Sequence, residues 1–118
     1  MSMGYNQDMN EVIIMEEIKE ILRKFNEERY WEQFHTPENL AKSISIEAAE
    51  VLECFQWDNS YDKRALTDEI ADVMCYCIML ADEIDIDLKE EIISKIKRNA
   101  VKYPVEKSRG SSAKYDEL

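Results

Sequence analysis

Two glycines and two prolines among 118 residues leave this chain few places to turn. Sandwiches and barrels spend glycine, proline and asparagine on every hairpin and corner, so their strands cannot be connected from this composition. Helices need far fewer breaks, and a chain of this length holds one hydrophobic core rather than two. The expectation is an all-α domain with short connections.

The hydrophobic spacing predicts four helices. The first runs from about Asp8 to Glu28, with Val12, Ile14, Ile18, Ile21, Leu22 and Phe25 three and four apart. A linker from Arg29 to His35 carries Tyr30, Trp31 and Phe34. The second helix starts cleanly, because Thr36 can cap it and Pro37 suits its first position. It continues through Leu40, Ile44, Ala48, Val51, Leu52 and Phe55 to a turn at Trp57-Asp58-Asn59-Ser60. The third spans roughly Tyr61 to Glu83, with Leu66, Ile70, Val73, Cys77, Leu80 and Ile84 inward. Asp87 and Glu90 read as a capping pair for a fourth, Leu88 to Val101. Pro104 stops simple continuation, so the expected organisation is a helical domain over 1–104 and an irregular tail over 105–118.

The net charge of −11 argues against nucleic-acid polymers and anionic membranes as partners, since phosphate-seeking surfaces are basic. A phosphorylated small molecule is compatible if a cation mediates the contact. No apolar run reaches the ~20 residues of a membrane span. The opening MSMGYNQDMN has no basic-then-apolar signal pattern. Cys54, Cys75 and Cys77 are odd in number and sit in helical patterns, which suits reduced thiols and a cytoplasmic location.

Chemistry concentrates on the second and third helices. At about 100° per residue, with Glu47 at the origin, Glu50 falls at about −60° and the apolar set centres at about +80°. With Glu69 as the origin of the third helix, Asp72 falls at about −60°, Tyr76 at about −20°, and the apolar set at about +70°. Each helix therefore carries a carboxylate pair on the flank of its apolar stripe. If the stripes meet, both pairs converge on one cleft. Four carboxylates there repel one another unless a cation neutralises them, and oxygen ligands favour a hard divalent ion, Mg²⁺ or Mn²⁺. The plainer reading is a solvated face, because 26 acidic residues produce such pairs by accident. Glu53 faces away from the stripe. Ile46 lies among the acids and suggests that a partner subunit covers this helix.

Other chemistries find little support. A di-iron carboxylate bundle wants Glu-x-x-His on two helices, but the single histidine, His35, lies in the linker. That histidine has no serine or cysteine in a pairing context. Gly4 and Gly110 cannot form a phosphate-cradling loop.

Read in order, the motifs form a set: Trp31-Glu32-Gln33-Phe34-His35, Pro37 and Asn39-Leu40; Glu47-Ala48-Ala49-Glu50 and Phe55-Gln56-Trp57; Glu69-Ile70-Ala71-Asp72-Val73 with Tyr76; Lys95, Asn99 and Lys102-Tyr103-Pro104. The set resembles the MazG-like all-α nucleoside triphosphate pyrophosphohydrolases, and among them the dCTP pyrophosphatase group, over about Leu22 to Leu118. The resemblance implies a four-helix MazG-like bundle, assembled as a homodimer or dimer of dimers. It implies Mg²⁺-dependent cleavage of dCTP or a modified dCTP between the α- and β-phosphates, giving monophosphate and pyrophosphate.

By matching position, Glu47, Glu50, Glu69 and Asp72 would hold the metal, with Glu50 also orienting or deprotonating the attacking water. Lys95, Asn99, Lys102 and Tyr103 would contact the triphosphate, and Arg109 and Ser111 would close over it from the tail. Trp31, His35, Trp57 and Tyr76 would form an aromatic base pocket. There are departures: Leu22 stands where the animal dCTP enzymes carry a base-contacting histidine, Ala49 where many relatives have glycine, and only eighteen residues separate Glu50 from Glu69. Two rivals follow: the same chemistry on dUTP or a broad range of nucleotides, and a non-catalytic acidic helical module that binds nucleotides or partners.

Overall fold

The structure, a computed structural model, describes the backbone of residues 7–113 and the side chains of residues 15–113. Val12, Ile14, Lys114 and Tyr115, which entered the sequence reading, lie outside the described side chains. Helix α1 spans Gln7–Glu28, α2 Pro37–Glu53, α3 Lys63–Glu83, α4 Leu88–Lys102 and α5 Val105–Ser108, with a 3-10 turn at Glu32–Phe34. No strand occurs among the described residues. The four expected helices are joined by a fifth of a single turn, where the sequence suggested an irregular tail. Local bonds close that turn: Ser108 N–H donates to the Pro104 carbonyl (2.9 Å) and Arg109 N–H to that of Val105 (3.1 Å).

Cap chemistry sets most boundaries. The Thr36 hydroxyl accepts from Asn39 N–H (3.1 Å) ahead of Pro37, and the Asp87 carboxylate accepts from Glu90 N–H (3.2 Å). Helix α3 begins two residues later than its periodicity suggested. The Asp62 carboxylate, not Tyr61, takes up the free N–H groups of Arg64 (2.9 Å) and Ala65 (3.3 Å). The turn before it closes on Asp58, which accepts from the backbone and hydroxyl of Ser60.

Helix α1 ends in a Schellman arrangement. Trp31 N–H reaches back to the Asn26 carbonyl (3.0 Å) and Tyr30 N–H to that of Glu27 (3.1 Å), with Tyr30 in the left-handed region at φ 56°. The accompanying apolar contact is Trp31 edge-on to Phe25, centroids 5.7 Å apart. Gln33 then donates to the Tyr30 carbonyl (2.8 Å) and Asn39 to that of Phe34 (2.9 Å). The linker is thereby a wired loop that fixes Trp31 and His35 relative to α1 and α2.

The chain divides into two compact units, one ending at Asp85 and the other beginning at Ile86. In the first, α2 and α1 both pack on α3, and Arg23 of α1 forms a two-pronged bond to Asp82 of α3 (2.9 and 2.6 Å). Leu40, Ile78 and Ala81 are its buried apolar residues, with Leu40 only 1% exposed. The second unit comprises α4 and α5.

The phase of the α2–α3 seam differs from the sequence expectation. Along α2, Ser43, Ile44, Glu47, Glu50, Val51 and Cys54 are half-buried, while Ala48, Leu52 (72% exposed) and Phe55 are exposed. Along α3, Leu66, Glu69, Val73, Tyr76, Cys77 and Leu80 line the covered face, while Ile70 and Ile84 are exposed. Steps of three and four through these positions follow a coiled-coil seam. Glu47, Glu50 and Glu69 are therefore on the seam itself rather than on its flank, while Asp72 is exposed. The apolar residues that pulled the sequence-derived stripe away belong to a second apolar face, uncovered in the single chain.

Candidate functional site

Glu47 and Glu50 lie three apart on α2, and Glu69 lies on the facing stretch of α3. One carboxylate oxygen from each falls within 4.8 Å of the other two. All three residues are half-buried, and Glu47 Oε2 and Glu69 Oε2 are out of solvent with no hydrogen-bond partner. A buried anionic oxygen without a partner is costly, so the cluster needs protons or a cation.

The titration behaviour follows from that crowding. Burial pushes the Glu47 carboxyl up, with Glu50 and Asp72 adding to it. A proton shared with Glu50 comes first for Glu69, followed by burial and the charges of Glu50, Asp72 and Glu47, raising it to about 7. Asp72 thus belongs to the same electrostatic group. The Tyr76 phenol is pushed up by burial and then by Glu47 and Asp72, so it stays protonated as a donor at neutral pH.

The donor set fits a hard divalent cation. It is oxygen only, and oxygens on opposite sides of a Mg²⁺ ion stand ~4.2 Å apart, twice the usual metal–oxygen distance. Oxygens all within 4.8 Å of one another are close enough to be drawn onto one such ion, and the two orphaned oxygens are donors available to it.

Beside the acids lies a cavity of about 370 Å³ lined by Ile21, Leu22, Phe25, Asn26, Trp31, His35, Asp72, Cys75, Tyr76 and Met79. It brings together Trp31, His35 and Tyr76, with Asp72 linking it to the carboxylates. Trp57 is not among its walls and is 88% exposed. A second cavity of about 240 Å³ shares Leu22, Asn26, His35 and Met79 with the first and continues to Lys19, Arg23, Glu32 and Asp82. Asn26, on the wall of both, is the one buried polar residue among the described residues. It was not singled out from the sequence. The signal was present: Leu22, Phe25 and Asn26 are three and four apart, so Asn26 falls within the apolar stripe of α1.

In the second unit, Lys95, Asn99 and Lys102 fall on one face of α4 by their four- and three-residue steps. The Asn99 carbonyl accepts from Tyr103 N–H (2.8 Å). Arg109 follows α5, and Ser111 N–H donates to the Ser108 carbonyl (2.9 Å) through Gly110, whose φ of 76° suits glycine. The thiols of Cys54, Cys75 and Cys77 are free and half-buried. No helix among the described residues is long and apolar enough to cross a membrane.

Comparison with known proteins places these features in a family. The sequence profile of the MazG-like family matches residues 42–118. The chain is 38% identical to dCTP pyrophosphatase 1 of Mus musculus, over 88% of this chain and 67% of the mouse protein. It is 36% identical to dCTP pyrophosphatase 1 of Homo sapiens over the same shares. Among solved structures it resembles a pyrophosphatase from Archaeoglobus fulgidus, with a TM-score of 0.69 and 39% identity. That match covers 88% of this chain and 99% of the archaeal one. The chain belongs to the MazG-like family.

Proposed function

We propose that this MazG-like chain is a Mg²⁺-dependent nucleoside triphosphate pyrophosphohydrolase that cleaves dCTP, or a modified dCTP, between its α- and β-phosphates. The observation that carries the reading is the carboxylate cluster of Glu47, Glu50 and Glu69, with two orphaned oxygens, beside an aromatic cavity that Asp72 shares. The curated relatives act, by their names, on dCTP, and the archaeal neighbour is a pyrophosphatase.

In this reading Glu47, Glu50, Glu69 and Asp72 hold Mg²⁺, with Mn²⁺ as a substitute. The bound ion supplies charge neutralisation for the triphosphate and acidifies a water molecule. Trp31 and Tyr76 stack the base, with His35 at its edge, and this fixes the distance from base to phosphate. Glu50 accepts a hydrogen bond from the attacking water and takes its proton as the new phosphorus–oxygen bond forms. The α–β bridging oxygen departs with the pyrophosphate. By their match to the family motif, Lys95, Asn99, Lys102 and Tyr103, with Arg109 and Ser111 from the tail, are the residues assigned to the triphosphate, where the cations would offset the charge on the leaving group. The exposed apolar residues Ile46, Leu52, Ile70 and Met74 support assembly as a homodimer or homotetramer. Trp57 meets a base only if a second chain's cavity receives it.

The test is product analysis. Purified protein with Mg²⁺ and each common nucleotide should release monophosphate and pyrophosphate, fastest from dCTP. Glu50→Gln should lower kcat by at least about 100-fold, and Lys95→Ala should raise KM. Release of orthophosphate would refute the cleavage position. No turnover with Mg²⁺ or Mn²⁺ would leave a nucleotide-binding module.

A further inference from the structure

Asn26 is 8% exposed, and its carboxamide forms no hydrogen bond among the described residues. It lines the aromatic cavity and the smaller cavity behind it. Its backbone is fully engaged: the Asn26 carbonyl accepts from both Arg29 and Trp31 N–H. The side chain is therefore carried on a fixed point of α1, one turn from Leu22, and bonded through its own main chain to the residue that carries the Trp31 ring. Its amide atoms are not sealed from solvent as the orphaned Glu47 and Glu69 oxygens are, so a ligand entering the cavities meets an unoccupied donor and acceptor on this wall.

We propose that Asn26 reads the hydrogen-bonding edge of the nucleobase, and that through it the site takes cytosine and uracil nucleotides alike. The inference rests on the pyrophosphohydrolase reading and extends it to the base. A carboxamide offers one acceptor beside one donor group. Cytosine presents an amino donor beside its ring-nitrogen acceptor, and uracil an N–H donor beside a carbonyl. The same amide matches either after a half-turn of its terminal group. No hydrogen bond among the described residues holds the amide in one sense, so both pairings are open. Leu22, on the same wall, contributes bulk without polarity. His35 is less buried than Asn26, and Asp72 faces the acid cluster. Tyr76 presents its ring to the base in this reading, which leaves Asn26 as the buried carboxamide on the wall.

The experiment compares kcat/KM for dCTP, dUTP and the nucleotide of difluorotoluene, a thymine isostere without hydrogen-bonding edges. Wild type should use dCTP and dUTP within about ten-fold of each other. Asn26→Leu should reduce the ratio of each pyrimidine to the isostere by about 10- to 100-fold, the discrimination expected of a well-made amide–base pair. Its circular dichroism should match that of wild type, so that the ratios compare folded enzymes. Should Asn26→Leu fail to fold, Asn26→Asp keeps the volume, removes the donor, and should lower the same two ratios. Unchanged ratios in a folded, active variant would overturn the role of Asn26 and leave the pyrophosphohydrolase reading intact. A wild-type preference for dCTP over dUTP beyond about 100-fold would overturn the two-base inference. No turnover of any nucleotide by wild type would overturn both.

Discussion

The carboxylate seam makes a prediction whose sign reverses with the contents of the buffer. Glu47→Gln removes one negative charge and leaves size and helix propensity nearly unchanged. Without a divalent cation, the wild-type chain holds Glu47, Glu50 and Glu69 with one oxygen of each within 4.8 Å of the others, and Glu47 Oε2 and Glu69 Oε2 lack partners. The Glu47 carboxyl is already pushed up by burial and then by Glu50 and Asp72, so the charge is disfavoured where it stands. The glutamine variant should then melt at or above wild type. With Mg²⁺ at about 100 times its dissociation constant, linkage adds about 2.7 kcal/mol to the wild type. A chain of 118 residues unfolds with an entropy of roughly 0.25 kcal/mol/K, so this is a rise of about 10 °C in Tm. The variant, short of one ligand, should gain only a small part of it. Scanning calorimetry of both proteins, in chelator and in Mg²⁺, reads the crossing directly. A wild type indifferent to Mg²⁺ and Mn²⁺, or a variant stabilised by as much as wild type, would refute the metal assignment.

Two further outcomes test the scaffold that positions the site. Tyr30 occupies the left-handed region at φ 56° and is 78% exposed, so Tyr30→Gly sacrifices little packing. It should gain about 0.5–1 kcal/mol net of the added unfolded-state freedom, or about 2–4 °C in Tm; a lower Tm would show that the ring matters more than the backbone. Asp82 is held below the usual carboxylate range chiefly by its hydrogen bond from Arg23. A depressed carboxylate contributes stability above its unfolded value of 3.8, and that contribution is lost as pH falls through the lower folded value. Asp82→Asn should therefore melt below wild type at neutral pH and converge with it as pH falls through the lowered folded value, as followed by circular dichroism.

Elements set by local chemistry were legible in the sequence. Thr36 with Pro37, Asp58 with Ser60, and Asp87 each act on backbone groups two or three residues away. Chain order alone therefore specifies them. The same logic missed the start of α3 because apolar periodicity drew Tyr61 into the helix ahead of its cap, Asp62. The pairs Glu47/Glu50 and Glu69/Asp72 were legible as well, since three-residue steps place side chains on adjoining positions of a helix; of the four, Glu47, Glu50 and Glu69 bring oxygens within 4.8 Å of one another. Trp57 and the aromatics that line the cavity look alike in sequence. What separates them is the Schellman turn that folds Trp31 back over Phe25, a tertiary consequence of one left-handed residue.

The seam itself was misread for a physical reason that bears on function. A stripe inferred from hydrophobicity assumes that the buried face is the apolar one. Here α2 and α3 each carry two faces, and the acids occupy the one closed within the chain. Leu52 and Ile70 remain exposed, while Glu47 and Glu69 withdraw oxygens from water. A fold selected for stability alone would exchange those positions. Local and global preferences agree along most of these helices and conflict at the carboxylates, where natural sequences give up stability for a site. Under the proposed reading a cation would take the place of the missing hydrogen-bond partners and resolve the conflict, so the buried phase of Glu47 and Glu69 is what a metal site at this seam requires.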